Sequence, residues 1–275
     1  MARQNYFDIL NRMEFDPQRE LKNLMDLLEM ERNFKSIYYE TSLNSAISDN
    51  FLDYPNRSTF TSYSQMIEFV GSNIHNTTEQ LFVFSEFLVD IFCNLAEKFT
   101  KKESEFIQII FDNIKRFLEL SNHELITLDN GNKIIVEKNV YASEASQIVS
   151  ETSIEEAIKV LEYNHFSNKG NIQRKKEILI ALANYLEPFR RELNNSEELK
   201  DILKVNNQKV IAFEKLFEMY NNFGLRHNNS NQYHLDLADD ELEQWYDDIY
   251  TSTLFVILSM DESRILSKLK TLREG

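Results

Sequence analysis

The sequence of 275 residues contains little glycine, proline or cysteine: 5 Gly, 3 Pro and 1 Cys. Glycine and proline form most tight turns, so a β-sandwich or an α/β fold of this length would need many more of them. Their scarcity favours long helices joined by short loops. The single cysteine, Cys93, excludes an intramolecular disulfide. It lies in an apolar run, which predicts a buried structural thiol.

The chain also lacks an apolar N-terminal segment and any uncharged apolar run that approaches 18 residues. A signal peptide needs the first of these features and a membrane-spanning helix needs the second. We therefore expect a cytoplasmic protein that does not associate with membranes. Hydrophobic residues make up 42% of the sequence, which is enough to build a sizeable core and argues against global disorder.

The net charge is −15, and it is distributed unevenly. Residues 1–151 carry 14 basic and 24 acidic side chains, whereas residues 152–236 carry 12 of each. An acidic chain is not expected to bind nucleic acid or anionic membranes non-specifically. An acidic chain can still bind RNA locally, but the sequence has no basic stripe that indicates it. The neutral section 152–236 includes the Arg/His stretch from Gly224 to His234.

Hydrophobic residues recur at helical spacing over most of the chain. This pattern predicts a mainly all-α fold, a helical bundle with one small β-hairpin. The expected parts are an N-terminal helical region (1–124), a β-hairpin with a linker (125–151) and a helical domain (152–275). The pair Asn130-Gly131 between two apolar runs indicates the hairpin, because both residues tolerate the positive φ angles of a tight turn.

Three further features refine the predicted helices. The segment 40–62 is rich in Ser, Asn, Asp and Thr and is predicted to be irregular. Pro188 lies inside a helical pattern over 171–193 and predicts a kink there. The longest helix is predicted to begin near Asp239 and to continue to about Arg273.

The stretch from Gly224 to His234 is the strongest candidate for a functional loop. It contains two of the five histidines next to an arginine. Arg226 offers a permanent positive charge and a fork of donors for a phosphate. His227 or His234 could transfer a proton near neutral pH. The alternative is a helix that ends at Gly224, followed by an Asn-rich surface loop without chemical function.

Two basic clusters are the candidate RNA-binding residues: Arg174, Lys175, Lys176, Arg190 and Arg191. The alternative is that these clusters are ordinary solvated helix faces. The single cysteine and the scattered histidines lack the spacing of metal ligands, so no metal site is predicted. The sequence has no Gly-rich nucleotide-binding turn, and no cofactor is predicted.

The region from about 152 to 260 resembles a HEPN domain, and more narrowly the C-terminal domain of bacterial abortive-infection proteins of the AbiJ type. The resemblance depends on the segment Thr152–Leu161, the basic helix from Arg174, and the helix-end sequence Phe223-Gly224-Leu225-Arg226-His227. It implies a helical domain that commonly dimerises. Many such domains are metal-independent ribonucleases of phage-defence or toxin–antitoxin systems.

The motif of this family is an arginine, a polar residue and then a histidine. By resemblance, Arg226 would be that arginine and His227 the polar residue. In the family pattern, four to six residues in all separate the arginine from the histidine. His234 follows Arg226 after seven intervening residues, one more than this pattern has. The resemblance therefore implies catalytic roles for Arg226 and for His227 or His234.

Two hypotheses about function remain open. The first is a metal-independent HEPN ribonuclease of a phage-defence (abortive infection) or toxin–antitoxin system. The second is a catalytically inactive HEPN module that dimerises or binds another molecule. That molecule would be a protein partner (for example an antitoxin), a nucleotide or RNA. A homodimer is expected in either case. The aromatic residues Trp245, Tyr246 and Tyr250 favour it, because they cannot all lie on one helix stripe.

Overall fold

The computed structural model describes residues 14–36, 39–72, 74, 76–128, 130–226 and 237–274. The contacts within the chain define two compact units. Unit 1 comprises residues 1–127 and 131–135, and unit 2 comprises residues 128–130 and 136–275. The division therefore passes through the β-hairpin. Each unit is described separately.

Unit 1 is formed mainly by helices that begin at clear capping residues. The carboxylate of Asp16 accepts the backbone N–H groups of Gln18 and Arg19, and Pro17 occupies the first turn. Thr100 and Glu103 form a capping box. In chain order the elements are α1 (Pro17–Glu29), β1 (Arg32–Ser36), β2 (Tyr39–Thr41), α2 (Leu43–Asn50), α3 (Tyr63–Ser72), α4 (Thr77–Asn94), α5 (Lys101–Leu120), β3 (His123–Thr127) and β4 (Lys133–Glu137).

The core of unit 1 is built around α4, where Leu81, Leu88 and Ile91 are fully buried. The prediction that Cys93 is buried was wrong, because its thiol is exposed. Cys93 is three residues after Asp90, so both lie on the same face of α4, away from the side that Leu88 and Ile91 pack into the core. Because Cys93 lies in an apolar run, the sequence did not indicate that this face of α4 is exposed.

The described residues of unit 2 form a helical bundle with one very short hairpin. Its elements are α6 (Val140–Ser150), α7 (Ile154–Glu162), α8 (Ile172–Leu186), α9 (Arg190–Asn195), α10 (Glu197–Ile202), β5 (Val205–Asn206), β6 (Lys209–Val210), α11 (Ile211–Asn222) and α12 (Asp239–Glu274). The last helix, α12, is 36 residues long and packs on α6, α8, α10 and α11. It forms one wall of the core throughout the first two thirds of its length, where Tyr246, Ile249 and Ile257 are buried.

The prediction of a mainly all-α fold is confirmed. The predicted hairpin is present as β3 and β4, but two further antiparallel pairs, β1–β2 and β5–β6, were missed. Their strands are too short and too polar to show an alternating apolar pattern. The segment 40–62 is not wholly irregular, because α2 begins there at the cap residue Ser42.

Two further predictions about the helices are confirmed. The helical pattern over 171–193 is interrupted at Pro188: α8 ends at Leu186, and a 3₁₀ turn, Glu187–Phe189, precedes α9. The longest helix is the one that follows the Arg/His segment. Within the part of the chain that the structure describes, none of the helices is long and apolar enough to cross a membrane.

Candidate functional site

Arg226 lies immediately after α11, in a position that the end of this helix determines. Gly224 has a φ angle of +68°, which a residue without Cβ adopts without strain. The backbone N–H of Leu225 donates to the carbonyl oxygen of Tyr220 over 3.0 Å, as in a Schellman motif. Leu225 is buried in the core of unit 2, which anchors the segment on the helix side of Arg226. The predicted helix end at Gly224 is therefore confirmed.

The guanidinium of Arg226 is mostly buried and forms an ion pair. Its Nη1 atom is 2.7 Å from Oε2 of Glu187, and its side chain is 12% exposed. Glu187 opens the 3₁₀ turn between α8 and α9. The loop that interrupts the helix at Pro188 thus supplies the carboxylate that holds Arg226.

Tyr220 connects Arg226 with α12. Its side chain is completely buried, and its hydroxyl donates to Oγ1 of Thr253 over 2.6 Å, since the Thr253 hydroxyl itself donates to Ile249 O. Burial raises the pKa of the Tyr220 hydroxyl above its usual value, while the Thr253 hydrogen bond and the charge of Arg226 act in the opposite direction. Tyr220 is therefore neutral and packs as part of the core.

His227 and His234, the two candidates for proton transfer, lie outside the described residues. Their assignment as catalytic residues stays a prediction. Arg226 is thus the one member of the predicted catalytic set whose geometry can be described.

The structure brings Arg190 and Arg191 close to the same loop, because both follow the 3₁₀ turn that contains Glu187. The Nε and Nη2 atoms of Arg190 donate to the two carboxylate oxygens of Glu214 over 3.2 and 2.8 Å. Its guanidinium also stacks 4.7 Å from the ring centroid of Phe217. The hydrogen bond from Arg190 lowers the pKa of the Glu214 carboxyl. Arg191 is exposed and has no ion pair within the described ranges.

Arg174, Lys175 and Lys176 lie in the first turns of α8, about 15–18 Å by helical rise from the end of this helix at Leu186. Arg174 forms ion pairs with Glu162 and Glu177. The Lys175 ammonium is 2.7 Å from both Glu243 and Asp247 of α12. Lys176 is half-buried. The five predicted RNA-binding residues are therefore divided into two groups, and their contact with RNA stays a prediction.

Around Lys175 lies a polar network that the sequence analysis did not identify. The rings of Tyr163 and Tyr250 are stacked with centroids 3.9 Å apart. The Tyr163 hydroxyl donates to the Asp247 carboxylate over 2.8 Å, and the Lys175 ammonium donates to the same oxygen. Burial, followed by the charge of Asp247, raises the pKa of Tyr163 well above its usual value. The i, i+4 spacing of Glu243 and Asp247 was the available signal in the sequence.

Two of the three aromatic residues that were expected at a dimer interface are buried within unit 2. Tyr246 and Tyr250 are 1% and 3% exposed, and both pack within unit 2. The Tyr250 hydroxyl donates to the carbonyl oxygen of Val160 over 2.6 Å. Trp245 is partly exposed and lies 5.1 Å from the ring of Phe223. The homodimer stays a prediction, but the buried tyrosines no longer support it.

A concave pocket of about 440 Å³ adjoins the Glu187 loop. We call it the basic pocket; it is lined by Glu187, Arg190, Arg191, Asn194, Asn195, Lys200, Asn207, Gln208, Lys209 and Glu214. Of these ten residues, only Arg190 and Arg191 were predicted to bind a ligand. The other two cations of the pocket are Lys200 and Lys209. They are separated in the sequence by mainly uncharged residues, so they do not form a visible basic cluster.

Within the described ranges, no group of three or more His, Cys, Asp and Glu side chains is arranged to hold a metal ion. Comparisons of the chain with models of protein families, with characterised proteins and with solved structures find no match. The chemistry of Arg226 and its surroundings is therefore the basis on which function has to be argued.

Proposed function

We propose that unit 2 is a HEPN-type, metal-independent ribonuclease of a phage-defence or toxin–antitoxin system. The observation that carries this proposal is the state of Arg226: a cation that is 12% exposed, fixed at a helix end and paired with one carboxylate. A preorganised cation of this kind stabilises charge that develops on a phosphate without having to reorganise during the reaction.

The reaction proposed for this site is attack by an RNA 2′-hydroxyl on the adjacent phosphorus. The O2′–P bond forms, the P–O5′ bond breaks, and the products are a 2′,3′-cyclic phosphate and a 5′-hydroxyl. Arg226 would exchange Glu187 for the scissile phosphate and stabilise the negative charge of the transition state. His227 or His234 would accept the proton of the 2′-hydroxyl or donate one to the leaving oxygen.

A second candidate is a catalytically inactive module that dimerises or binds a protein partner, a nucleotide or RNA. One observation favours it: Arg226 already has a carboxylate partner in its own chain. In that case the ion pair between Arg226 and Glu187 would stabilise the loop before α9, and the basic residues would serve binding alone.

The experiment that separates these candidates is incubation of the purified protein with single-stranded RNA in the presence of EDTA. We expect cleavage that leaves 2′,3′-cyclic phosphate ends, because the proposed reaction uses side chains alone. RNA with 2′-O-methyl groups is the matched control and should stay intact, since it lacks the nucleophile. If the unmodified RNA also stays intact, the inactive binding module becomes the better description.

We also propose that the protein forms a homodimer through unit 2, as the resemblance to HEPN domains implies. Light scattering at micromolar concentration should then give twice the 32.6 kDa mass of the chain. A mass of one chain under these conditions would contradict the dimer.

A further inference from the structure

The basic pocket is suited to a charged ligand. Its volume of about 440 Å³ lies within the range of about 300–1,000 Å³ that is common for small-molecule sites. Such sites are usually lined by apolar side chains with a few polar groups. Here all ten lining residues carry a charged or amide side chain. This lining favours a ligand, or part of a ligand, that is itself strongly polar.

The charges of the lining residues specify an anion. The pocket combines four cations with two carboxylates, in a chain whose net charge is −15. The cations are Arg190, Arg191, Lys200 and Lys209, and the carboxylates are Glu187 and Glu214. The local excess is thus two positive charges. A phosphate monoester carries about 1.5–2 negative charges at pH 7, whereas a single carboxylate carries one.

Both carboxylates of the pocket already have cationic partners. Glu214 is held by the two donors of Arg190 and by the amide of Asn194 at 2.8 Å. Glu187 is paired with Arg226, which is not a lining residue. The carboxylates therefore fix the walls of the pocket, and their repulsion of an incoming anion is reduced.

Other donors remain accessible to a ligand. Arg191 is exposed and has no ion pair in the described part of the chain. Lys209 is 57% exposed and reaches Glu214 only at 3.4 Å. Lys200 is less accessible, because its side chain is 19% exposed and pairs with Glu197 over 2.8 Å.

The turn between β5 and β6 holds its side chains in an uncommon backbone conformation. Asn207 and Gln208 have φ angles of +48° and +63°, the two positive values that a type I′ turn requires. Glycine would satisfy this turn without strain, yet both positions carry amide side chains that line the pocket. The Asn194 side-chain oxygen accepts the backbone N–H of Val210 over 3.0 Å, which ties the turn to α9. Asparagine tolerates this region of backbone conformation, so Gln208 is the residue that the turn holds in an uncommon one.

From these observations we propose that the basic pocket binds a terminal phosphate, in the form of a phosphate monoester on a nucleotide or at the end of a nucleic-acid strand. Arg191 of α9 and Lys209 of β6 provide the charge-assisted hydrogen bonds, and the amides of the turn complete the site. The inference holds whether or not the protein cleaves RNA, since it concerns binding alone.

The test compares ligands that differ only in the terminal phosphate. A short 2′-O-methyl RNA strand, labelled at its 3′ end, is prepared with either a 5′-phosphate or a 5′-hydroxyl, and binding is followed by fluorescence anisotropy. We expect the phosphorylated strand to bind about 10-fold more tightly, because two solvent-accessible hydrogen bonds contribute about threefold each. Equal affinity for the two strands would overturn the proposal. The 2′-O-methyl groups prevent cleavage, so this result is independent of the ribonuclease assay.

Substitutions in the basic pocket test whether the preference for the phosphorylated strand arises there. Lys209→Gln and Arg191→Gln should each reduce the preference for the phosphorylated strand to about threefold or less, since each removes a donor to the same phosphate. Lys268→Gln is the matched control: it removes an exposed lysine from α12, outside the pocket, and should keep the preference unchanged. A preference that survives both pocket variants would overturn the assignment of the site. Circular dichroism confirms that each variant is folded.

A second arm identifies the source of the phosphate. Nucleoside 5′-monophosphates and the corresponding nucleosides compete against the labelled phosphorylated strand. If the nucleoside monophosphate displaces the strand and the nucleoside does not, at concentrations near the dissociation constant of the strand, the ligand is a free nucleotide. Displacement only by an unlabelled phosphorylated strand assigns a strand end. Both results uphold a terminal-phosphate site.

Discussion

Replacement of Arg226 with alanine is expected to slow RNA cleavage by about 10²–10³-fold, the usual effect of removing one preorganised electrostatic contact from a transition state. Arg226→Lys should recover only part of this loss, because lysine keeps the charge but lacks the planar fork of donors. The measurement is the rate of single-turnover cleavage in EDTA with saturating protein. Arg264→Ala is the control, since it removes an arginine that pairs with Glu151 and Asp261 elsewhere in unit 2.

A variant of Glu187 distinguishes a catalytic role of Arg226 from a purely structural one. If Arg226 acts only by holding the loop before α9, Arg226→Ala and Glu187→Gln should lower the stability of unit 2 by similar amounts and affect function equally. If Arg226 contacts the phosphate, Glu187→Gln should retain much more cleavage than Arg226→Ala, because the arginine keeps its charge and its donors. Equal loss of cleavage in the two variants would contradict the catalytic role.

The same assay assigns the proton carrier. His227→Ala or His234→Ala should reduce the rate by about 10²–10⁴-fold, as is typical for loss of general acid–base catalysis. His165→Ala is the matched control, because His165 contacts Ser167 at the start of a 3₁₀ turn and has no part in the proposed reaction. Full activity in both His227→Ala and His234→Ala would remove these residues from the mechanism.

The helical architecture was predictable because its signals are local. The caps at Asp16 and Thr100, the break at Pro188 and the helix end at Gly224 each involve residues within a few positions of one another. Such short-range effects can be read from one sequence without knowing the tertiary structure. The strands of β5 and β6 contain two residues each, too few to show a period.

The partners of the charged residues were not predictable, for a different reason. Arg226 pairs with a glutamate 39 residues earlier, and Lys175 with carboxylates that come about 70 residues later. Tertiary packing alone determines such pairs, and a basic cluster in the sequence does not reveal them. Arg174 and Lys175 were interpreted as candidates for RNA contact, yet their charges are directed at carboxylates of their own unit.

This arrangement leads to a second large effect: Lys175→Met is expected to lower the free energy of unfolding of unit 2 by about 2–3 kcal/mol. Loss of one partner from a buried ion pair typically costs about 3–5 kcal/mol, because the other charge stays behind without compensation. The value here is reduced because the Asp247 side chain is 51% exposed and water can still solvate it. Methionine retains most of the aliphatic volume of lysine, so the change reports mainly on the charge.

The neighbouring residue is the matched control. Lys176→Met alters the same helix and the same net charge, yet Lys176 has no ion pair in the described ranges, and we expect a change within about 0.5 kcal/mol. Urea unfolding can be followed by the fluorescence of Trp245, the only tryptophan of the chain, which packs against Phe223 in unit 2. In the double variant Lys175→Met/Asp247→Asn, the loss should be smaller than the sum of the two single losses, because the two side chains share one interaction. Unchanged stability in Lys175→Met together with weaker RNA binding would instead assign Lys175 to an RNA-binding surface, and the network with Tyr163 and Asp247 would then contribute little to folding.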